Sequence, residues 1–172
     1  LNQRNTVKAT YDNVVDTMLG TTIANKAGTV IQTIEHLMAA IWCANIDNLH
    51  IEIDNKETPI MDGSSFPFIE EIEKAGIKEL EENRKVLKIL KPLEYVDKDR
   101  FVKVSPSDKF SVDIFVDYNY GKIGQQTYNF SGERNDFKNE VSKARTFCNF
   151  KERGTMRKVG LAKGGSLDNA MV

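Results

Sequence analysis

A chain of 172 residues, 40% hydrophobic and 28% charged with a net charge of −1, has room for one ordinary domain or two small ones. No apolar run approaches the roughly 20 residues that a membrane-spanning helix needs, and the polar start Leu1-Asn2-Gln3-Arg4-Asn5 carries no signal-peptide pattern. Near-neutral charge, without aromatics interleaved among the basic residues, argues against a nucleic-acid partner. The two cysteines, Cys43 and Cys148, make no disulfide framework, so a reducing cytoplasm is the expected compartment.

Apolar residues at Val7, Tyr11, Val14, Val15, Met18 and Leu19 have spacing that suits a helix or a helix-like turn, without a strong cap, within Asn5 to Leu19. Two short strands are predicted at Thr21–Ala24 and Thr29–Ile31, around the turn Asn25-Lys26-Ala27-Gly28. A helix follows, with Thr33 as its N-cap and Ile34, Leu37, Met38 and Ile41 at helical spacing, ending near Ala44 with Cys43 as a small core residue. Asn45 to Asp54 alternates Ile46, Leu49, Ile51 and Ile53 with polar residues, as a half-buried strand does. His50 falls on the polar side of that pattern and reads as solvated. The turn-rich Pro59–Ser65 leads to a helix capped by Ser64 or Ser65, with Phe66, Phe68, Ile69 and Ile72 buried and Gly76 at its end.

From Lys78 to Lys85 the chain is charged and nearly free of apolar residues, which places a domain boundary there. Strands are predicted beyond it at Lys85–Ile89, Leu93–Val96, Phe101–Ser105, Phe110–Val116 and Gln126–Phe130, with turns at Ser105–Asp108 and Asn119–Gly121. A helix over Asp136–Ala144 and the start of another strand over Ser166–Val172 complete the pattern. Each half mixes strands with one or two helices, so the expected class is α+β, as two two-layer α/β domains over residues 1–80 and 81–172. Charge is uneven. Asp47 to Glu82 is acid-rich, whereas Lys143, Arg145, Lys151, Arg153, Arg157, Lys158 and Lys163 face only Glu152. Such a basic segment suits a solvated surface, an anionic small molecule or an anionic membrane surface.

The segment Thr33-Ile34-Glu35-His36-Leu37-Met38-Ala39-Ala40 carries the chemistry. It sets a carboxylate beside an imidazole in the first turn of a helix, where free amides and the helix dipole create a positive potential that suits an anionic Glu35 and a metal-binding, neutral His36. A base next to a metal ligand is what metal-assisted hydrolysis requires. Read alone, the pair also fits an ordinary solvated helix start.

Five motifs occur in one order: Thr33–Ala40, Ile46-Asp47-Asn48-Leu49, Pro59-Ile60-Met61-Asp62-Gly63-Ser64-Ser65, Ser142-Lys143-Ala144-Arg145-Thr146-Phe147 and Gly164-Gly165-Ser166-Leu167-Asp168. Together with Asp16-Thr17-Met18-Leu19-Gly20 they resemble the zinc-dependent UDP-3-O-acyl-N-acetylglucosamine deacetylases of Gram-negative lipid A biosynthesis, over almost the whole chain. The resemblance implies ribosomal protein S5 domain 2-like folds. It implies Glu35 as general base, His36 as first zinc ligand and Thr146 as a donor to the tetrahedral oxyanion. Phe147, Met18 and Leu19 would contact substrate, and Lys143 with the basic segment would lie toward the acyl passage and nucleotide. Gly20 stands where some members carry a larger residue, and Cys148-Asn149 departs from the Gly-Phe that often follows the Thr-Phe pair.

The family's His-Lys-x-x-Leu-Asp motif, which carries the other two zinc ligands, is absent from this sequence, as is its later catalytic histidine. The resemblance therefore implies an internal fragment, lacking also an N-terminal stretch and predicted to bind zinc poorly and not turn over alone. In the complete enzyme it implies hydrolysis of the N-acetyl group with release of acetate, by a cytoplasmic monomer that touches the inner membrane surface. Alternatives are a non-catalytic nucleotide-sugar or anion-binding module, an interaction domain pairing acidic with basic halves, and a different metallohydrolase.

Overall fold

The computed structural model describes residues 3–118, 123–148 and 164–170. These divide into two compact units, one reaching to Ile77 and resuming at Lys138, the other spanning Lys78–Phe137. Both helices and antiparallel sheet are present, so the chain is α+β.

The first unit opens on two short 3-10 turns, Gln3–Asn5 and Tyr11–Asn13, and then on strand β1, Val14–Asp16, within the stretch where a helix or a helix-like turn had been expected. The cause is local. Asn13 Nδ2 donates to the Lys8 carbonyl at 2.9 Å and to Thr10 Oγ1 at 3.2 Å, bonds that compete with a helical ladder, and the β-branched Val14 and Val15 favour extension. β1 pairs antiparallel with β2, Thr22–Ala24, which pairs antiparallel with β3, Val30–Ile31. These two strands and their turn are where the sequence placed them. Asn25 Oδ1 closes the turn by accepting from the amides of Ala27 and Thr29, at 2.9 and 3.0 Å.

Helix α1, Glu35–Cys43, packs against helix α2, Phe66–Ala75, around the buried Ala40, Cys43 and Ile69. The connecting residues 46–53 form no strand despite their alternation. Leu49 and Ile51 stay about half exposed, because a strand needs a neighbouring ladder and the hydrophobic pattern alone does not supply one. His50 is exposed, as read. Ser65 occupies the N-cap position of α2 without a side-chain cap; instead Ser64 Oγ accepts from the Phe66 amide at 3.2 Å.

The second unit holds two antiparallel hairpins. β4, Leu93–Asp97, pairs with β5, Arg100–Val104, and β6, Ser111–Tyr118, pairs with β7, Gly124–Ser131. The predicted strand at Lys85–Ile89 is not formed, and the turn Asn119–Gly121 lies outside the described residues. Phe130 is the buried anchor of this unit and meets Phe137 edge-on at 6.1 Å. Helix α3 spans Arg134–Glu140, earlier and shorter than predicted. Ser166–Ala170 is a compact turn and not a strand: its Ser166, Asp168 and Asn169 side chains bond one another and the local backbone. Among the described residues, no helix is long and apolar enough to cross a membrane.

Candidate active site

Helix α1 begins at Glu35, and its N-cap position is Ile34, not Thr33. Thr33 has φ +57, a region that a β-branched residue enters only under constraint. The constraint is visible. Its hydroxyl donates to Glu57 Oε1 at 2.7 Å, and its carbonyl accepts the hydroxyl of the buried Thr58. The Gln32 amide donates to the Lys56 carbonyl at 2.8 Å, and the Thr58 amide to the Gln32 carbonyl at 3.1 Å. A Thr33 hydroxyl committed to Glu57 does not cap the helix, which corrects the sequence expectation. This backbone kink fixes where Glu35 enters the helix.

The Glu35 carboxylate is held from outside its own helix. Oε2 accepts the Thr21 amide at 2.9 Å, and the Ile34 amide returns to the Thr21 carbonyl at 3.3 Å. Oε1 faces Gly20, where an added Cβ would lie only 3.2 Å away. Immediately before Gly20, Leu19 adopts φ +60, and Met18 and Leu19 leave 69% and 65% of their surface exposed. A partly exposed carboxylate therefore lies against Gly20, which follows two solvent-facing apolar side chains, and the partly exposed His36 comes next to it on the helix. Such an arrangement can polarise a water while contacting an apolar group.

Thr146 is held by a second set of bonds. Its amide donates to the Gly63 carbonyl at 2.8 Å. Gly63 has φ +86, and an added Cβ would meet Asn169 O at 2.0 Å and Thr146 Cγ2 at 3.4 Å, so the 60–65 loop, Thr146 and the 164–170 turn are in close contact. Asp62 Oδ1 fixes the loop by accepting from the Ser64 amide and hydroxyl at 2.9 and 2.8 Å. Arg145 joins the segments: Nε donates to the Asp62 carbonyl and a terminal guanidinium nitrogen to the Leu167 carbonyl, both at 2.8 Å. The buried Ser142 offers its carbonyl to the amides of Ser65 and Phe66 and to the Ser65 hydroxyl, at 3.2, 3.0 and 3.1 Å. Three of the motifs are thus woven together by backbone acceptors.

The predicted residues fall on two stretches of the first unit: Glu35, bonded to Thr21 and facing Gly20, with Met18, Leu19 and His36 close to it in sequence, and Thr146, bonded to Gly63, with Lys143 and Phe147 on its own segment. Phe147 is 45% exposed, and Lys143 Nζ lies 4.6 Å above the ring of Phe66. Lys151, Arg153, Arg157, Lys158 and Lys163 lie outside the described residues. Sequence reading missed the bonds of Arg145, which it placed in the Ser142–Phe147 motif and counted as one charge in a basic run without giving it a role. Its acceptors are carbonyls, and a carbonyl leaves no mark in residue identity.

A catalytic zinc usually takes three protein ligands. Among the described residues, no three His, Cys, Asp or Glu side chains are grouped to hold a metal. His36 offers one imidazole, so the described residues do not by themselves make up a zinc site.

The fold and this edge define an α+β chain with a carboxylate–imidazole pair at a helix start and a threonine held beside a tight glycine turn. Residues 1–172 match the family model described as LpxC, UDP-3-O-acyl N-acetylglycosamine deacetylase. Proteins named UDP-3-O-acyl-N-acetylglucosamine deacetylase are similar in sequence. That of Nautilia profundicola is 48% identical over 94% of this chain and 55% of its own length. That of Helicobacter pylori is 42% identical over 94% and 54%, and that of Aliarcobacter butzleri 44% identical over 97% and 56%. The chain belongs to the UDP-3-O-acyl N-acetylglycosamine deacetylase family. It spans about half the length of the curated relatives it matches.

Proposed function

We propose that the full-length protein hydrolyses the N-acetyl group of UDP-3-O-acyl-N-acetylglucosamine, an early committed step of lipid A biosynthesis, and that this chain supplies its general base and part of its oxyanion site. The observation that carries the reading is the posture of Glu35. The Thr21 amide holds one carboxylate oxygen, and the other faces the Gly20 edge beside Met18 and Leu19. A carboxylate tethered by one oxygen and open at the other is suited to take a proton from an attacking water.

The water oxygen then bonds the acetamide carbon, and the carbonyl oxygen takes up the negative charge. The Thr146 hydroxyl donates to that oxygen, its backbone fixed by Gly63. The carbon–nitrogen bond breaks and the nitrogen gains the proton, giving acetate and a free amine. Met18, Leu19 and Phe147 supply apolar contact for the acyl chain, and Lys143 a cation for the nucleotide end.

The reading further assigns His36 as one ligand of a zinc ion, with the remaining ligands in the part of the relatives' length outside the match. It takes residues 1–80 and 81–172 as belonging to two S5 domain 2-like domains, and the working protein as a cytoplasmic monomer that touches the inner membrane surface. The 172 residues alone are expected to be inactive.

The test is acetate release from UDP-3-O-acyl-N-acetylglucosamine by the full-length protein, with and without a zinc chelator. Chelator-sensitive release is expected. No release from folded, zinc-loaded protein would overturn the proposal.

A further inference from the structure

We propose that Arg145 is a positioning residue for the Thr146 hydroxyl, acting as a clamp that fixes three separate segments around it. The inference rests on the reading of Thr146 as the oxyanion donor. Arg145 immediately precedes Thr146, and its guanidinium donates to two carbonyls on different segments, that of Asp62 and that of Leu167. Gly63, the residue next to Asp62, accepts the Thr146 amide. Asn169, two residues beyond Leu167, lies so close to Gly63 that even a methyl group would not fit between them. Thr146 is thus fixed through its own amide, and Arg145 ties the loop that receives that amide to the turn packed against it.

The chemistry of the side chain matches this task. A guanidinium presents several N–H groups in a rigid fork and keeps its charge, so it can satisfy two carbonyls in fixed directions at once. A lysine would reach one of them as a flexible point charge. Backbone carbonyls do not titrate, so the clamp holds across the pH range of the protein.

A donor to a developing oxyanion acts only where it is aimed in advance, and a displacement of about 1 Å is enough to lose on the order of 100-fold in rate. Loosening the clamp should therefore lower kcat and leave KM nearly unchanged, because the hydroxyl matters most when charge appears on the oxygen.

The experiment is a double-mutant cycle in the full-length protein with Arg145→Met, Thr146→Val and the double variant, each checked for folding by circular dichroism. Arg145→Met should reduce kcat by about 10- to 100-fold in the parent, with KM changed less than about 3-fold. In the Thr146→Val background the same change should cost less than about 3-fold, because the group it positions is already gone. An equal loss in both backgrounds, or no loss in the parent, overturns the proposal.

Hydrogen exchange at the Thr146 amide gives a second readout that does not depend on catalysis. Arg145→Met should speed that exchange at least about 10-fold relative to the amides of α1, by opening the loop. Unchanged exchange overturns the clamp even if the protein has another activity. Faster exchange in a protein without deacetylase activity upholds the clamp and sinks only the functional reading it serves.

Discussion

Replacing Gly63 by alanine asks how tightly the site is closed. At φ +86 a side chain meets the ordinary cost of a left-handed backbone, about 1–2 kcal/mol. The added Cβ would also lie 2.0 Å from the Asn169 carbonyl oxygen and 2.8 Å from its carbon, both backbone atoms with no rotamer to turn aside. The 164–170 turn would have to retreat by about 1 Å, a distortion of the size that overpacking imposes at about 1–3 kcal/mol. That retreat would also stretch the bond from Arg145 to Leu167, now 2.8 Å. The expected total is about 2–5 kcal/mol, a large part of a typical folding free energy. Gly28 is the matched control. Its φ is +87 and nothing lies within 4 Å of its added Cβ, so Gly28→Ala should cost only the backbone contribution, about 1–2 kcal/mol. Urea unfolding of both variants in the full-length protein measures the difference from their midpoints. Equal destabilisation, within about 0.5 kcal/mol, would refute the close approach of the turn to Gly63.

Two further outcomes follow from the Glu35 edge. Glu35→Gln keeps an oxygen that can accept the Thr21 amide, so the fold and bound zinc should persist while deacetylation by the full-length protein falls at least about 100-fold. A near-normal rate would remove Glu35 from the base role, and His36→Ala should instead lower zinc content on metal analysis. Thr58→Val preserves shape but removes the buried hydroxyl shared by the Gln32 and Thr33 carbonyls, at a cost of about 1–2 kcal/mol in urea unfolding. A change below about 0.5 kcal/mol would mean that those bonds do not hold Thr33 in its left-handed conformation.

The helix carrying Glu35 and His36 was legible because helical spacing is a local property, and its structural start falls within two residues of the expected one. The β2–β3 turn was legible for the same reason, since Asn25 and Gly28 act within the turn itself. What escaped depends on distant partners. The bend at Thr33 is imposed by Glu57 and Thr58, and nothing in the sequence near Thr33 announces them. The alternation of Ile46 to Ile53 marks apolar positions but cannot summon a ladder. The clamp of Arg145 closes on carbonyls, which every residue carries. The residues predicted to act chemically could be named from motifs, whereas the bonds that hold them are set by the chain's long-range returns.

The carbonyl of Ser142 has a consequence for the order of assembly. It receives the Ser65 hydroxyl across 77 residues of chain and also takes the Ser65 and Phe66 amides that open α2. The whole of Lys78–Phe137 is made between those partners. During synthesis from the N-terminus, the Phe66 amide can bond the Ser64 hydroxyl at once, but the Ser65 amide and hydroxyl must stay on water until Ser142 emerges. The intervening hairpins are continuous in sequence and can pair in the meantime, since local contacts form before long loops close. The part of the molecule that is made first is thus completed only after the part inserted into it has been made, and a pause in translation before Ser142 would leave the loop around Gly63 already made but without the Thr146 amide that it receives.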